Sequence, residues 1–345
     1  MIKKECFTAE WIEQVSSELH YNDKNLIEKV IRALSLLEML VKAGCPLVFK
    51  GGTALMLILG KSAHRLSIDI DLICPPGTNI EDYLKSFADF GFINLELVER
   101  KQRDDADIPK SHSKFFYQIA YRNDTDAQSY ILLDVLYEDI HYFRTQQIAI
   151  NCPFIRLEGK PLMVTVPSAE DILGDKLTAF APNTTGIPYY RNGRSCSMEI
   201  AKQLYDVGRL FENVSDLQIT KEAFRKIAVV ELSYRSFGTD IGQVFNDIRQ
   251  TALCISTRGK AGEGDFDLIQ DGIIRVKSFM YKQRYLIDHA IIDAARAAYL
   301  ATLIEKGINE IESYSNNPAD IKDMVIRPSL PNKLNKLRSN LPEAY

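Results

Sequence analysis

Residues 49–74 read FKGGTALMLILGKSAHRLSIDIDLIC, with two glycines ahead of an apolar run and two carboxylates behind it. In SIDIDLI, a strand's period of two sends Ile68, Ile70 and Leu72 to one face and Asp69 and Asp71 to the other, the aspartate Cα atoms about 7 Å apart. Two bare carboxylates about 6 Å apart repel by ~3 kcal/mol at an effective dielectric near ~20, so a divalent cation between them is a natural resolution. Oxygen ligands alone favour Mg²⁺ or Mn²⁺ over zinc. Ahead of the pair, Gly51 and Gly52 form a turn that lets backbone approach a ligand. The short helix TALMLIL then turns its first N–H groups toward a polyanion, and Thr53 adds a hydroxyl. This is a phosphate cradle in outline, but no G-K-[ST] follows as in a Walker A loop, and the G-x-G-x-x-G of dinucleotide sites is absent.

The D-x-D spacing alone decides nothing, because it also occurs at Asp105/Asp107, Asp124/Asp126 and Asp265/Asp267, all better read as surface or loop. What distinguishes Asp69/Asp71 is the order strand, Gly-Gly turn, short helix, polar KSAHRLS connection and apolar strand. A third carboxylate, Asp134, sits mid-strand in SYILLDVLYE. An unpaired buried carboxylate costs several kcal/mol or takes up a proton, so Asp134 needs a partner. A metal shared with Asp69 and Asp71 meets that need, as does a nearby lysine or arginine.

The elements that must position these groups follow from periodicity. Residues 8–43 carry helical spacing that ends at Gly44. From PLVF (46–49) to LMVTV (162–166) the pattern is one of short β-branched and aromatic runs, among them FINLELVE, KFFYQIAYR, SYILLDVLYE and IAINCPFIRLE. One helix, IEDYLKSFADF, interrupts them. After Pro167 the strands end and six amphipathic helical segments follow. The reading is an α/β (α+β) chain: a domain of short strands and helices over 1–166, with its N-terminal helices at 8–43, an all-helical domain over 167–328, and a polar tail over 329–345.

The composition, 46% apolar and 26% charged over 345 residues, is that of a globular protein. A net charge of -4 gives no global footprint for nucleic acid, so a polyanionic partner needs a local basic surface. The N-terminus has no apolar leader segment and no run reaches the ~18 apolar residues of a membrane span, which predicts a cytoplasmic protein without membrane association. Six scattered cysteines without a C-x-x-C pair predict reduced thiols.

The stretch KGGTAL…RLSIDID, with Arg65, Ser67, Asp69 and Asp71, resembles the AbiEii family, the nucleotidyltransferase toxins of type IV toxin-antitoxin systems within the DNA polymerase β superfamily. AEDILGDKLTAFA resembles that family's L-x-x-K-L-x-A helix, and EIAKQLYDVGRL its R-x-x-K-D-x-x-D-[IL] helix, with Glu199 in place of the arginine and Gln203 in place of the first aspartate. The resemblance implies a nucleotidyltransferase domain with a mixed β-sheet and flanking helices followed by a helical C-terminal domain, Mg²⁺-dependent transfer of a nucleoside monophosphate from an NTP, with the tRNA 3′ end as acceptor, and a cognate antitoxin as partner. It implies Asp69, Asp71 and Asp134 as metal ligands and Gly51, Gly52, Thr53, Arg65 and Ser67 as nucleotide contacts. Lys176 would hold the triphosphate, and Asp206 would orient or deprotonate the acceptor hydroxyl. Without the resemblance, Lys176 reads as a solvated lysine and Asp206 as an i, i+4 partner of Lys202.

A structured RNA acceptor needs basic and aromatic groups, for which RKQR (100–103), KSHSK (110–114) and YYRNGR (189–194) are candidates. Two other readings keep the fold: transfer to a small molecule or a protein side chain, and a non-catalytic nucleotide-binding protein that acts through a partner.

Overall fold

Thr8 accepts the Trp11 N–H and caps helix α1 (Ala9–Glu18); Asp23 accepts the Leu26 N–H at the start of α2 (Lys24–Lys42). In α2 the apolar residues Ile27, Val30, Ile31, Leu34 and Leu37 recur at helical spacing and are all buried. There follow β1 (Val48–Lys50), α3 (Gly51–Leu59), β2 (Ile70–Cys74), β3 (Asn94–Val98), β4 (Lys110–Gln118), β5 (Gln128–Tyr137), β6 (Thr145–Ala149) and β7 (Met163–Pro167). These coordinates are a computed structural model, which describes residues 1–98, 110–121, 127–214, 216–234, 238, 240–327 and 332–345.

The main sheet has five strands in the order β1-β2-β5-β4-β3. Only β2 and β5 run parallel within it; the other neighbours are antiparallel, so the sheet is mixed. Its strands bury one face and open the other. Ile70, Leu72, Phe115, Tyr117, Ile131, Leu133 and Val135 join the α2 side chains in one core, each large aliphatic side chain contributing roughly 1.5–3 kcal/mol. Lys114, Phe116, Leu132 and Asp134, at the alternate positions, are only partly covered. A separate two-stranded ribbon pairs β6 with β7.

The chain forms two compact units, Met1–Ser168 with Ser278–Arg284, and Ala169–Lys277 with Tyr285–Tyr345. The return of 278–284 to the first unit breaks the single linear boundary that composition suggests. Backbone bonds hold it there: Leu66 N–H donates to Phe279 O at 2.8 Å and Tyr281 N–H to His64 O at 3.0 Å. The Tyr281 ring meets Phe154 edge-on at 5.2 Å.

The second unit contains α4 (Ala169–Ala179), a ribbon of β8 (Tyr190–Arg191) and β9 (Arg194–Ser195), then α5 (Ser197–Phe211), α6 (Leu217–Ser233), α7 (Ile241–Ser256), α8 (Phe266–Val276), α9 (Ile287–Lys306) and a short α10 (Leu337–Asn340). Phe224 and Phe245 stack at 4.9 Å between α6 and α7.

Several local expectations change. IEDYLKSFADF forms two 3₁₀ turns, Ile80–Tyr83 and Phe87–Phe90, because only Ile80 and Leu84 are buried and Gly91 closes the second turn at φ 80°. Of IAINCPFIRLE only the first two residues lie in a strand, β6. Strand structure also persists beyond 167, in the β8–β9 ribbon. The described residues of the polar tail fold into helical turns with Leu334 and Ala344 buried, tied down by the Arg296–Glu343 ion pair. All six cysteines are free thiols. Among the described residues no helix is long and apolar enough to cross a membrane.

Candidate functional site

The register of the sheet draws four ionisable residues into one line across its open face. Lys50 on β1 pairs with Asp71 on β2, Asp71 with Asp134 on β5, and Asp134 with His112 on β4. Adjacent strands lie about 4.8 Å apart, so the two carboxylates are next neighbours on one side of the sheet. His112 is 8% exposed and its Nδ1–H donates to Asp134 Oδ1. Its Nε2 is buried without a hydrogen-bond partner among the described residues. Asp69 lies one residue ahead of β2 and is exposed, and among the described residues it does not join Asp71 and Asp134 in a three-carboxylate cluster.

The Gly-Gly turn sits directly against this line. Gly51 has φ 78°, and a Cβ there would fall 2.0 Å from Asp71 Oδ2, so a side chain at 51 would be strained and would displace the carboxylate. At Gly52 a Cβ would fall 2.7 Å from Ser67 Oγ and 3.0 Å from Arg65 Nη2. The start of α3 thus touches Asp71 through one glycine, and Ser67 and Arg65 through the next. Arg65 is 7% exposed and held by its Nη1 bond to Leu66 O at 3.0 Å, while its backbone bridges Met280. Thr53 differs from expectation: it is fully buried, and its hydroxyl donates to Asp69 O at 2.7 Å. It fastens α3 to the entrance of β2 and does not present a hydroxyl outward.

Among the described residues no three His, Cys, Asp or Glu side chains converge into a ready-made metal cage. Asp71 beside Asp134 is a two-carboxylate, oxygen-only donor set, which fits Mg²⁺; that ion keeps waters and substrate phosphates as its other ligands. The set is unlike a zinc or calcium site, each of which draws more ligands from protein.

In the helical unit, Lys176 of α4 is 7% exposed, which removes the solvated-lysine reading. Its Nζ lies 3.1 Å from Asp206 Oδ2 and donates to Gln203 Oε1 at 3.0 Å, both on α5. The glutamine that departs from the family pattern therefore still contacts the lysine. Asp206 is buried, and its carboxylate faces Lys176.

Of the candidate RNA contacts, RKQR lies outside the described residues, as do the D-x-D pairs 105/107 and 124/126; Asp265 caps α8. KSHSK is the first half of β4, with His112 and Ser113 buried. YYRNGR is the β8–β9 hairpin, turned by Asn192 at φ 52° and Gly193 at φ 73°. Arg191 and Arg194 face each other across it, both exposed, and Tyr190 is 56% exposed. Like charges directly opposite destabilise a ribbon, so the pair suits an anion. A shallow cavity of about 530 Å³ is lined by Arg191, Asn192, Arg194, Ser195, Cys196 and Glu199.

Two residues escape sequence reasoning, Lys50 and His112. Lys50 precedes the Gly-Gly turn and His112 belongs to KSHSK, yet only the strand register brings either beside a carboxylate.

A family model for the nucleotidyltransferase AbiEii toxin of type IV toxin-antitoxin systems matches residues 34–315. None of the curated proteins matches the chain. Among solved structures, JHP933 from Helicobacter pylori aligns at 17% identity over 81% of this chain and 94% of its own, with a TM-score of 0.43. MenT4, a nucleotidyltransferase toxin from Mycobacterium tuberculosis, aligns at 14% identity over 95% of this chain and 99% of its own, with a TM-score of 0.44.

Proposed function

From the premise that this chain belongs to the AbiEii family of nucleotidyltransferase toxins, we propose that it moves a nucleoside monophosphate from an NTP to the 3′ end of tRNA in a Mg²⁺-dependent reaction, and so blocks translation. Membership carries with it an NTP substrate and an antitoxin partner. The observation that best supports the proposed site is the approach of Gly51 to Asp71, which leaves no room for a side chain between the turn and the carboxylate line.

In this reading the acceptor hydroxyl attacks the α-phosphorus and gives up its proton to solvent, a new P–O bond forms, and the bond to pyrophosphate breaks in line with it. Asp71 and Asp134 would hold the Mg²⁺, which would supply charge to offset the phosphate oxygens, with Asp69 as a further carboxylate just ahead of β2. His112 fixes the Asp134 carboxylate through Nδ1. The N-terminal N–H groups of α3, opened by Gly51 and Gly52, receive phosphate oxygens, with Ser67 and Arg65 next to Gly52 as further donors. Lys176 is the cation that the family pattern assigns to the triphosphate. Asp206 and Gln203 hold its ammonium in place, and this holding role suits a buried carboxylate better than proton abstraction from an acceptor.

The exposed arginines of the β8–β9 hairpin, beside Tyr190, supply the local basic surface that a net charge of -4 requires of a tRNA-binding protein. This reading implies a cytoplasmic enzyme, where tRNA and a free NTP pool meet.

The test is incubation of the purified chain with total tRNA, Mg²⁺ and each labelled NTP in turn. Label is expected in tRNA from the wild type and not from Asp69→Ala. Equal labelling by both would sink the assigned site, and label on the protein itself or on a small molecule would move the acceptor away from RNA.

A further inference from the structure

The open face of the sheet continues beyond the acidic line. From His112, β4 sends Lys114 and Phe116 to the same side, and β5 sends Leu132 and Tyr130 there from Asp134. The register sets Phe116 opposite Tyr130, with ring centroids 5.7 Å apart and planes inclined by 54°. Tyr130 is 43% exposed. Lys114 Nζ and Lys29 Nζ each lie 5.6 Å from the centre of its ring. Lys114 is also 3.3 Å from Glu96 on β3, a pair that holds its ammonium at this surface.

Cross-strand aromatic pairs stabilise sheets, and that alone could account for two rings at this place. Three features go further. The core residues of these strands already occupy the opposite face, so Tyr130 gains little burial where it is. Two ammonium groups flank its ring, a combination suited to a stacked base with its phosphates and unlike the continuous apolar patch a protein partner needs. And the pair lies four residues along the strands from His112 and Asp134, about 13 Å at 3.3 Å per residue, on the face that carries the proposed reaction centre. An acceptor whose terminal hydroxyl reaches that centre must lay its preceding nucleotides over neighbouring surface.

We propose that Phe116 and Tyr130, with Lys114 and Lys29, form a stacking platform for the unpaired bases of a single-stranded RNA 3′ end. The proposal rests on the reading of the Asp71–Asp134 line as a nucleotidyl-transfer centre with an RNA acceptor. The rings take bases by their π faces, which tolerates any sequence, and the lysines take phosphates.

The experiment measures binding of a short fluorescent single-stranded RNA ending in CCA by anisotropy, without NTP, and transfer to the same RNA in parallel. Tyr130→Ala is expected to weaken RNA binding about tenfold and Phe116→Ala by somewhat less, whereas Tyr130→Phe binds as wild type does. In transfer assays Tyr130→Ala raises the KM for RNA and leaves kcat and Mg²⁺-NTP binding unchanged. Lys114→Ala lowers the slope of log affinity against log salt by about 1. Circular dichroism checks that each variant is folded.

RNA affinity unchanged in Tyr130→Ala, or no binding by the wild type, overturns the platform; in the first case the face is left to a protein partner. RNA binding that depends on Tyr130, with transfer that survives Asp71→Asn, upholds the platform and removes the reaction centre instead.

Discussion

Two groups of buried or half-buried carboxylates on this chain have opposite surroundings. Asp71 and Asp134 are next neighbours on an open sheet face, an arrangement that is repulsive by itself. Asp293, in α9, is 1% exposed and lies 3.5 Å from Arg209 and 3.3 Å from Arg296. Gly208 of α5 leaves room for it, since a Cβ there would fall 1.9 Å from Asp293 Oδ1. Arg296 also reaches Gly208 O, Glu212 and Glu343, so α5, α9 and the C-terminal turn meet at one cluster. The helical unit supplies Asp293 with its own cations, and the result is a structural junction. The sheet unit instead sets two carboxylates side by side between Lys50 and His112 where a ligand can reach them, and in the proposed reading a bound cation supplies the rest of the countercharge. Carboxylate count and burial alone do not separate the two; the identity of what offsets the charge does.

The contrast is sharpest under substitution. Asp71→Asn is expected to lower transfer by at least about 10³-fold, the several kcal/mol that a metal ligand would contribute, with a thermal midpoint close to that of wild type. A fall in Tm with transfer intact would place Asp71 among the structural groups. Asp293→Ala should do the reverse. It removes the buried carboxylate that Arg209 and Arg296 share, leaving them Glu212 and Glu343, and costs about 1–3 kcal/mol of stability, read as a lower denaturant midpoint. Any protein that stays folded should keep near-normal specific activity.

Between these lies Gly51→Ala, which touches the site through the backbone. The new methyl meets Asp71 Oδ2 and the residue must hold φ 78°, so the carboxylate or the turn moves. A misplacement of about 1 Å costs on the order of 10²-fold in rate, measured as kcat with saturating NTP. Normal kcat in Gly51→Ala would show that the close approach has no part in the reaction.

Legibility from sequence follows the same division. The Gly-Gly turn, Arg65, Ser67, Asp69 and Asp71 lie within 21 consecutive residues, so local spacing suffices to name them together, and the structure sets Gly51 against Asp71 and Gly52 against Ser67 and Arg65. The strand alternation around Asp134 was equally visible in SYILLDVLYE, and so was the order of a mixed sheet followed by helices. Lys50 and His112 were not legible, because their place beside a carboxylate depends on strand order β1-β2-β5-β4, a long-range choice that no local pattern encodes. The burial of Lys176 was hidden for a related reason: its partner Asp206 lies on the next helix, 30 residues away by number. IEDYLKSFADF forms 3₁₀ turns where its spacing predicts a helix, because helical spacing is weak evidence in a segment with two buried apolar residues.

The smallest predicted effect is the dependence of stability on pH, and it belongs to the structural side of the comparison. Burial pushes Asp293 up to about 7, against Arg209 and Arg296, which pull it down. An unfolded aspartate ionises near ~4, so between roughly pH 4 and pH 7 the native state holds a proton that the unfolded state has lost. Stability from this group is complete below that window and declines as pH rises through it. Burial raises Glu28, Glu38 and Asp247 as well, so their contributions run in the same direction. The urea midpoint should accordingly be lower near pH ~7.5 than near pH ~5.5, and Asp293→Asn, which cannot ionise, should flatten part of that slope. An unchanged slope in Asp293→Asn would mean that the arginines keep Asp293 ionised throughout. The junction would then be a permanent ion cluster, and the contrast with the sheet site would rest on the source of the countercharge alone.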